Sequence, residues 1–203
     1  VVAGTNERFD EIWWPSCSAG VTQNDRYVVC NYLQDIWYYG TLSRSAWIDS
    51  DLRENPMAAT YSNNLVNHEV GYDSQEGAVA SAITATLLSS EFDLDDGDRF
   101  MFVNRVLPDV TFEGSTVTNP AAVMTLSPMQ NSGSGYNNPL SVGGNSASTV
   151  TRTATVPIEE STGQVFVRLR GRQMAFKVES TELGVAWKRG IPRLEMRADG
   201  RRG

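Results

Sequence analysis

Gln164–Arg170 reads QVFVRLR and Gln173–Glu179 reads QMAFKVE. In the first stretch Val165, Val167 and Leu169 fall on one face, and Phe166, Arg168 and Arg170 on the other. The second alternates likewise. A period of two marks a half-buried β-strand, because successive side chains point to opposite sides of the pleat. Only Gly171–Arg172 separates the two stretches, so they read as an antiparallel hairpin.

The same texture extends outward. Arg99–Leu107 (RFMFVNRVL) reads as a strand that Val110–Phe112 continues after Pro108, and Ile83–Leu88, Ala122–Leu126 and Thr149–Val156 read as further strands. Val185–Lys188 and Leu194–Arg197 close the set. Nearer the N-terminus, Phe9–Trp14, Arg26–Tyr32, Ile36–Gly40 and Ser45–Ile48 form a meander of four short strands, which fits an up-and-down blade or a sandwich sheet and not βαβ units. Met57–Tyr61 and Asn64–Val70 read as a second hairpin, turning at Ser62–Asn64. No pattern supports a helix longer than two turns, so the expected fold class is all-β.

The small, polar Asp73–Ala80 segment is a candidate boundary, which divides the chain into residues 1–72 and 73–203. Ser127–Ser148, rich in Ser, Gly and Asn, reads as a long exposed loop or contact arm.

The chain has 203 residues, with 40% hydrophobic and 20% charged, which excludes a disordered or collagen-like polymer. No apolar run reaches membrane-spanning length. Val1 stands where an initiator Met would, and no basic-then-apolar leader follows it, so the expectation is a piece of a longer polypeptide. Cys17 and Cys30 are too few for a disulfide framework; small buried free thiols are the default reading, and a single bridge stays open.

Charge is unevenly spread. Residues 1–167 hold 7 Lys+Arg against 20 Asp+Glu, whereas residues 168–203 hold 10 against 4. Eight of those ten bases are Arg, the residue suited to bidentate pairs with carboxylate or phosphate. A basic tail on an acidic body points to docking on an acidic neighbour or to a nucleic-acid contact. The acidic body argues against tight wrapping of duplex DNA, which needs phosphate neutralisation.

Chemical signatures are sparse. His68 is the only histidine, and no nucleophile elbow surrounds any serine, so a structural imidazole is expected. Asp93, Asp95, Asp96 and Asp98 suggest calcium at first sight. The EF-hand register fails, however, because its sixth and twelfth positions fall on Asp98 and Asn104, and an acidic turn is the reading. Trp13, Trp14, Trp37, Tyr38, Tyr39 and Trp47 are either sheet core or a sugar platform. No cofactor and no metal site is expected.

Four stretches carry a resemblance: Glu11–Trp14 (EIWW), Asn24–Asp49 (NDRYVVCNYLQDIWYYGTLSRSAWID), Phe92–Gly114 (FDLDDGDRFMFVNRVLPDVTFEG) and Arg170–Arg202 (RGRQMAFKVESTELGVAWKRGIPRLEMRADGRR). They resemble the C-terminal portion of the tail nozzle, or hub, proteins of short-tailed bacteriophages, also described as packaged-DNA stabilisation proteins. The most specific part is the ending, where Gly-Val-Ala-Trp is followed by Pro-Arg-Leu and Arg-Ala-Asp-Gly-Arg-Arg.

The resemblance implies a non-enzymatic virion tail protein, assembled in the host cytoplasm into a hexameric ring. It implies partners in a portal-proximal adaptor, a tail fibre or spike, and the double-stranded DNA that the channel retains and then conducts. Residues 1–72 would be the last β-propeller blade or blades, and residues 73–203 a β-rich, sandwich-like platform. By charge alone, Arg168, Arg170, Arg172, Arg193, Arg197, Arg201 and Arg202 are the candidate interface residues. Two rival readings remain: a glycan-binding or glycan-cleaving β-domain of a receptor-binding protein, and a cellular propeller scaffold for peptides.

Overall fold

The computed structural model describes residues 3–49, 54–95, 97–129 and 153–201. Its regular elements are antiparallel β-strands in several sheets, with one turn of 3-10 helix at Glu7–Phe9 and no α-helix among the described residues. The chain divides into two compact units: Val1–Gly71 with Glu76–Val79, and Tyr72–Gln75 with Ala80–Gly203.

The first unit contains a four-stranded sheet in sequential order: β1 (Gly4–Asn6), β2 (Glu11–Ser16), β3 (Arg26–Asn31) and β4 (Ile36–Thr41). β-Branched and aromatic residues dominate β3 and β4, and they fit a pleated surface well. The meander expected from the sequence is present with one substitution. Its fourth strand is Gly4–Asn6, whereas β5 (Ala46–Ile48) leaves the sheet and pairs with β6 (Met57–Ala59), which pairs in turn with β7 (Leu65–Asn67). Gly4 is suited to its place because a Cβ there would run into the Trp47 indole.

The second unit begins with β8 (Asp73–Ser74), β9 (Ser81–Ala82), β10 (Ala85–Leu88), β11 (Phe92–Asp93), β12 (Arg99–Leu107) and β13 (Val110–Thr111). It continues with β14 (Ala121–Met129), β15 (Ala154–Glu159), β16 (Val165–Gly171), β17 (Gln173–Ser180), β18 (Lys188–Arg189) and β19 (Arg193–Arg201). One sheet has the order β10-β17-β14-β15, with β11 also on β17; another has the order β16-β12-β19. Their inward residues meet in one core: Met101, Val103 and Val106 from β12, Met124 and Leu126 from β14, Val167 and Leu169 from β16, Phe176 and Val178 from β17. Burial of each such side chain contributes about 1.5–3 kcal/mol.

The hairpin expected at Gly171–Arg172 does not form. β16 pairs with β12 and β17 pairs with β14, so the chain passes from one sheet into the other. A two-residue hairpin turn needs positive φ in the loop, and neither Gly171 nor Arg172 has it. The Arg172 N–H instead bonds to the Met129 carbonyl at 2.7 Å. A Cβ on Gly171 would lie 2.8 Å from the Gln173 carbonyl and from Pro128 Cβ, and 3.1 Å from the Met129 amide nitrogen. Close backbone approach is therefore what this glycine permits.

Three smaller expectations are also corrected. Val110–Thr111 does not extend β12; it pairs with Lys188–Arg189. Ser127–Met129 belongs to β14 and not to a loop; the remainder of the expected 127–148 arm, like residues 149–152 of the expected Thr149–Val156 strand, lies outside the described residues. Of the expected Ile83–Leu88 strand only Ala85–Leu88 forms, as β10; residues 83–84 separate it from β9. Cys17 and Cys30 are both free thiols; Cys30 is buried as expected, whereas Cys17 is exposed.

Gly171→Ala is expected to destabilise the protein by about 1–3 kcal/mol, because a methyl group has no room beside Pro128 and Met129. Gly163→Ala, where an added methyl meets nothing within 4 Å, should shift stability by less than about 0.5 kcal/mol. Urea unfolding of the two variants compares them directly, and equal midpoints would contradict the assigned role of Gly171.

Candidate functional site

The outer face of the β16-β12-β19 sheet gathers most of the arginines singled out by charge. Direct cross-strand partners share a face in an antiparallel sheet. Phe102 lies opposite Arg170 on one side and Arg197 on the other; Arg105 lies opposite Phe166 and Glu195; Leu107 lies opposite Arg193. Arg168 stands between Phe166 and Arg170 on the same face of β16.

Arg105 was not a candidate from sequence, because strict alternation from Met101 and Val103 would aim it into the core. A β-bulge between Val103 and Arg105 on β12 changes the phase. Val106 then takes the buried position and Arg105 turns outward. The visible clue is a charged residue in phase with the core set, followed at once by a valine.

The guanidinium groups on this face differ in their engagement. Arg170 lies over the Phe100 ring at 4.0 Å and reaches Asp199 on β19 at 2.5 Å. Arg105 pairs with Glu195 at 2.8 Å. The Glu195 carboxyl is held below its usual pKa, chiefly by the hydrogen bond that Asn104 donates and then by Arg105. Arg197 covers Phe102 at 5.0 Å, a cation–π contact. Arg168 and Arg193 are exposed and have no carboxylate partner among the described residues. Phe166 is 73% exposed in their midst.

Three candidates remain. Arg172 sits at the crossover between sheets, where its Nε donates to the Gly97 carbonyl. Arg201 contributes backbone pairing opposite Arg99. Arg202 lies outside the described residues.

The first unit holds a second cluster, aromatic and carboxylic. Glu11 is buried on β2 and accepts hydrogen bonds from Tyr38 Oη at 2.7 Å, Trp13 Nε1 at 3.1 Å and Asn6 Nδ2 at 3.3 Å. Trp13 stacks on Tyr27 at 4.8 Å and on Trp47 at 5.2 Å. Burial, with Glu11 adjacent, pushes the Tyr38 hydroxyl well above its usual pKa. The Glu69 carboxyl is raised by desolvation and then by Glu11.

His68 packs against Trp47 at 4.7 Å, and its Nε2 accepts from Arg44 Nε at 3.0 Å. The buried Arg44 also binds Glu76 at 2.9 Å, as a charge withdrawn from water requires. Burial, reinforced by Arg44, lowers the His68 pKa to about 4. Glu11, buried and bonded by three donors, anchors the aromatic stack.

The opposite face of the β1–β4 sheet carries Trp14, Val28, Trp37 and Tyr39. Trp14 and Trp37 stack at 5.6 Å with their planes 11° apart, and Trp37 is 60% exposed. The tryptophans thus divide between an interior stack and an open face. Among the described residues no group of three or more His, Cys, Asp or Glu is placed to hold a metal ion; Asp96 of the acidic turn lies outside them.

Compared with protein-family models the chain matches none, and no curated protein matches it.

The His68 environment sets a pH dependence. Unfolded, the imidazole titrates near its ordinary value of 6.5; folded, near 4. Between these values the unfolded chain binds the additional proton, so the stabilisation is complete above about pH 6.5 and is lost as pH falls towards 4. Thermal unfolding followed by tryptophan fluorescence reads this unit, because four of the five tryptophans lie in it. The midpoint should fall from pH 7 to pH 5, and His68→Gln should flatten that fall. An equal slope in the variant would remove His68 as the cause.

Proposed function

We propose that the chain is a non-enzymatic structural subunit of a virion tail: part of a ring-shaped nozzle or hub that retains packaged DNA and conducts it on ejection. The observation that carries the reading is the outward arginine face of the β16-β12-β19 sheet. An otherwise acidic chain keeps Arg168 and Arg193 exposed without carboxylate partners of their own among the described residues.

The resemblance of Asn24–Asp49, Phe92–Gly114 and Arg170–Arg202 to tail nozzle proteins supports the same reading. So does the β1–β4 meander, since four sequential antiparallel strands are the unit of a propeller blade. Residues 1–72 then serve as terminal blade or blades, and residues 73–203 as the platform. The acidic body suits a channel wall that must not grip a polyanion, because repulsion keeps DNA free to move. Neighbours in this reading are further copies in a closed ring, a portal-proximal adaptor, and a fibre or spike.

A second reading has its own observation. The exposed Trp37 and Tyr39, with Trp14 stacked on Trp37, form an aromatic surface of the kind on which sugar rings stack. A glycan-binding or depolymerase domain would use this face, and Trp37→Ala would then abolish saccharide-induced quenching of tryptophan fluorescence.

Native mass spectrometry of the full-length protein, alone and with virion extracts, tests the first reading. A closed ring of about six copies, formed alone or on the particle, is expected. A protein that stays monomeric and never co-purifies with virions overturns it.

A further inference from the structure

The outer edge of β16 is open. Among the described residues its only ladder partner is β12, so one side of this seven-residue strand has no described neighbour in the sheet. A groove of about 800 Å3 runs beside it, lined by Phe102, Asn104, Thr155, Val156, Phe166 and Arg168. An uncovered edge with a bare aromatic on it invites pairing or aggregation unless a partner covers it. A central aromatic ringed by charge is also the anatomy of a protein-binding patch.

The free charge on this face sets the chemistry of the partner. Asp199 occupies Arg170 and Glu195 occupies Arg105, while Arg168 and Arg193 remain unpaired among the described residues. The complementary surface is therefore acidic. A single-stranded nucleic acid fits less well, because it needs successive bare rings on which to stack. Here Phe100 and Phe102 are covered by the molecule's own Arg170 and Arg197, which leaves Phe166 bare.

The chain itself carries an acidic surface of the required kind. In Glu91–Asp95, apolar Phe92 and Leu94 pack against the core of the second unit and alternate with Glu91, Asp93 and Asp95. The segment is held in shape. β11 pairs with β17, the Gly97 N–H bonds to the Leu94 carbonyl at 3.0 Å, Gln173 donates to Asp93 at 3.2 Å, and Arg172 donates to the Gly97 carbonyl. It presents its carboxylates with little ordering left to do on binding.

Resting on the ring reading above, we infer that the acidic segment Glu91–Asp95 of one copy docks on the arginine-edged groove beside β16 of the next. The two surfaces are different parts of one chain, so the contact is heterologous and propagates from copy to copy until rotation closes it. Opposite charge steers the approach, and Phe166 supplies the apolar anchor.

Charge exchange tests the pairing in the full-length protein. Arg168→Glu with Arg193→Glu, and separately Glu91→Lys with Asp93→Lys, should each lower the assembled fraction about tenfold in native mass spectrometry at low salt. A one-to-one mixture of the two variants should recover it, since each then offers one complementary surface. Unchanged circular dichroism and melting would show that the variants fold. Assembly of both variants at the wild-type level overturns the proposed contact and leaves the ring reading standing; loss in both without recovery on mixing also overturns it.

A photoreactive side chain in place of Phe166 gives a readout that needs no ring. Adducts mapped to Glu91–Asp95 of another copy support the contact even if the ring reading fails. Adducts to nucleic acid or to another surface, or none at all, overturn it.

Discussion

At Gly171 the backbone passes so close to Pro128 and Met129 that no side chain can stand there, and the arrangement of the second unit depends on that clearance. Because β16 does not fold back on β17, each strand is free to find a longer partner: β16 lies along β12, and β17 along β14. The two sheets are thereby linked by one residue and share a core drawn from both. The same passage leaves β16 at the edge of its sheet. The open groove and the arginine face are consequences of how the chain negotiates one glycine.

The bulge in β12 makes the second decisive adjustment. It lets Met101, Val103 and Val106 all face inward although their spacing breaks the period of two. The residue displaced outward is Arg105, which joins Glu195 in a cross-strand pair. Cation–π contacts then cover Phe100 and Phe102, so a sheet face rich in phenylalanine presents mostly guanidinium to solvent. In the first unit a buried carboxylate plays the organising part. Glu11 collects three donors from the side chains around it, and Trp13, one of those donors, stacks on Tyr27 and Trp47.

Much of this was legible residue by residue. The alternation in Gln164–Arg170 correctly assigns Val165, Val167 and Leu169 to the core and Phe166, Arg168 and Arg170 to solvent. The β-branched and aromatic run at Arg26–Tyr32 is a strand, and Met57–Ala59 pairs with Leu65–Asn67 as the turn at Ser62–Asn64 suggests. Illegible were the pairings across the second unit and the place of Ser45–Ile48. A short link between two alternating runs looks the same whether the chain reverses or crosses to another layer. Ser45–Ile48 likewise joined a different sheet, and a three-residue segment at Gly4–Asn6, without the hydrophobic signal of a strand, took its place. Arg172 shared the charge of its neighbours but not their position.

By itself the sequence determined the all-β class, the inward and outward faces of its regular strands, and the concentration of arginine in the last thirty-six residues. These follow from side-chain chemistry and a local period of two, which each residue carries wherever its strand ends up. Tertiary structure alone decided which strands pair in the second unit, where the period slips, and which charges satisfy one another. Those outcomes depend on contacts between residues far apart in the chain, such as Arg170 with Asp199 and Arg172 with Gly97. They also depend on the space left when two sheets close on one core, a quantity that no short window of sequence contains.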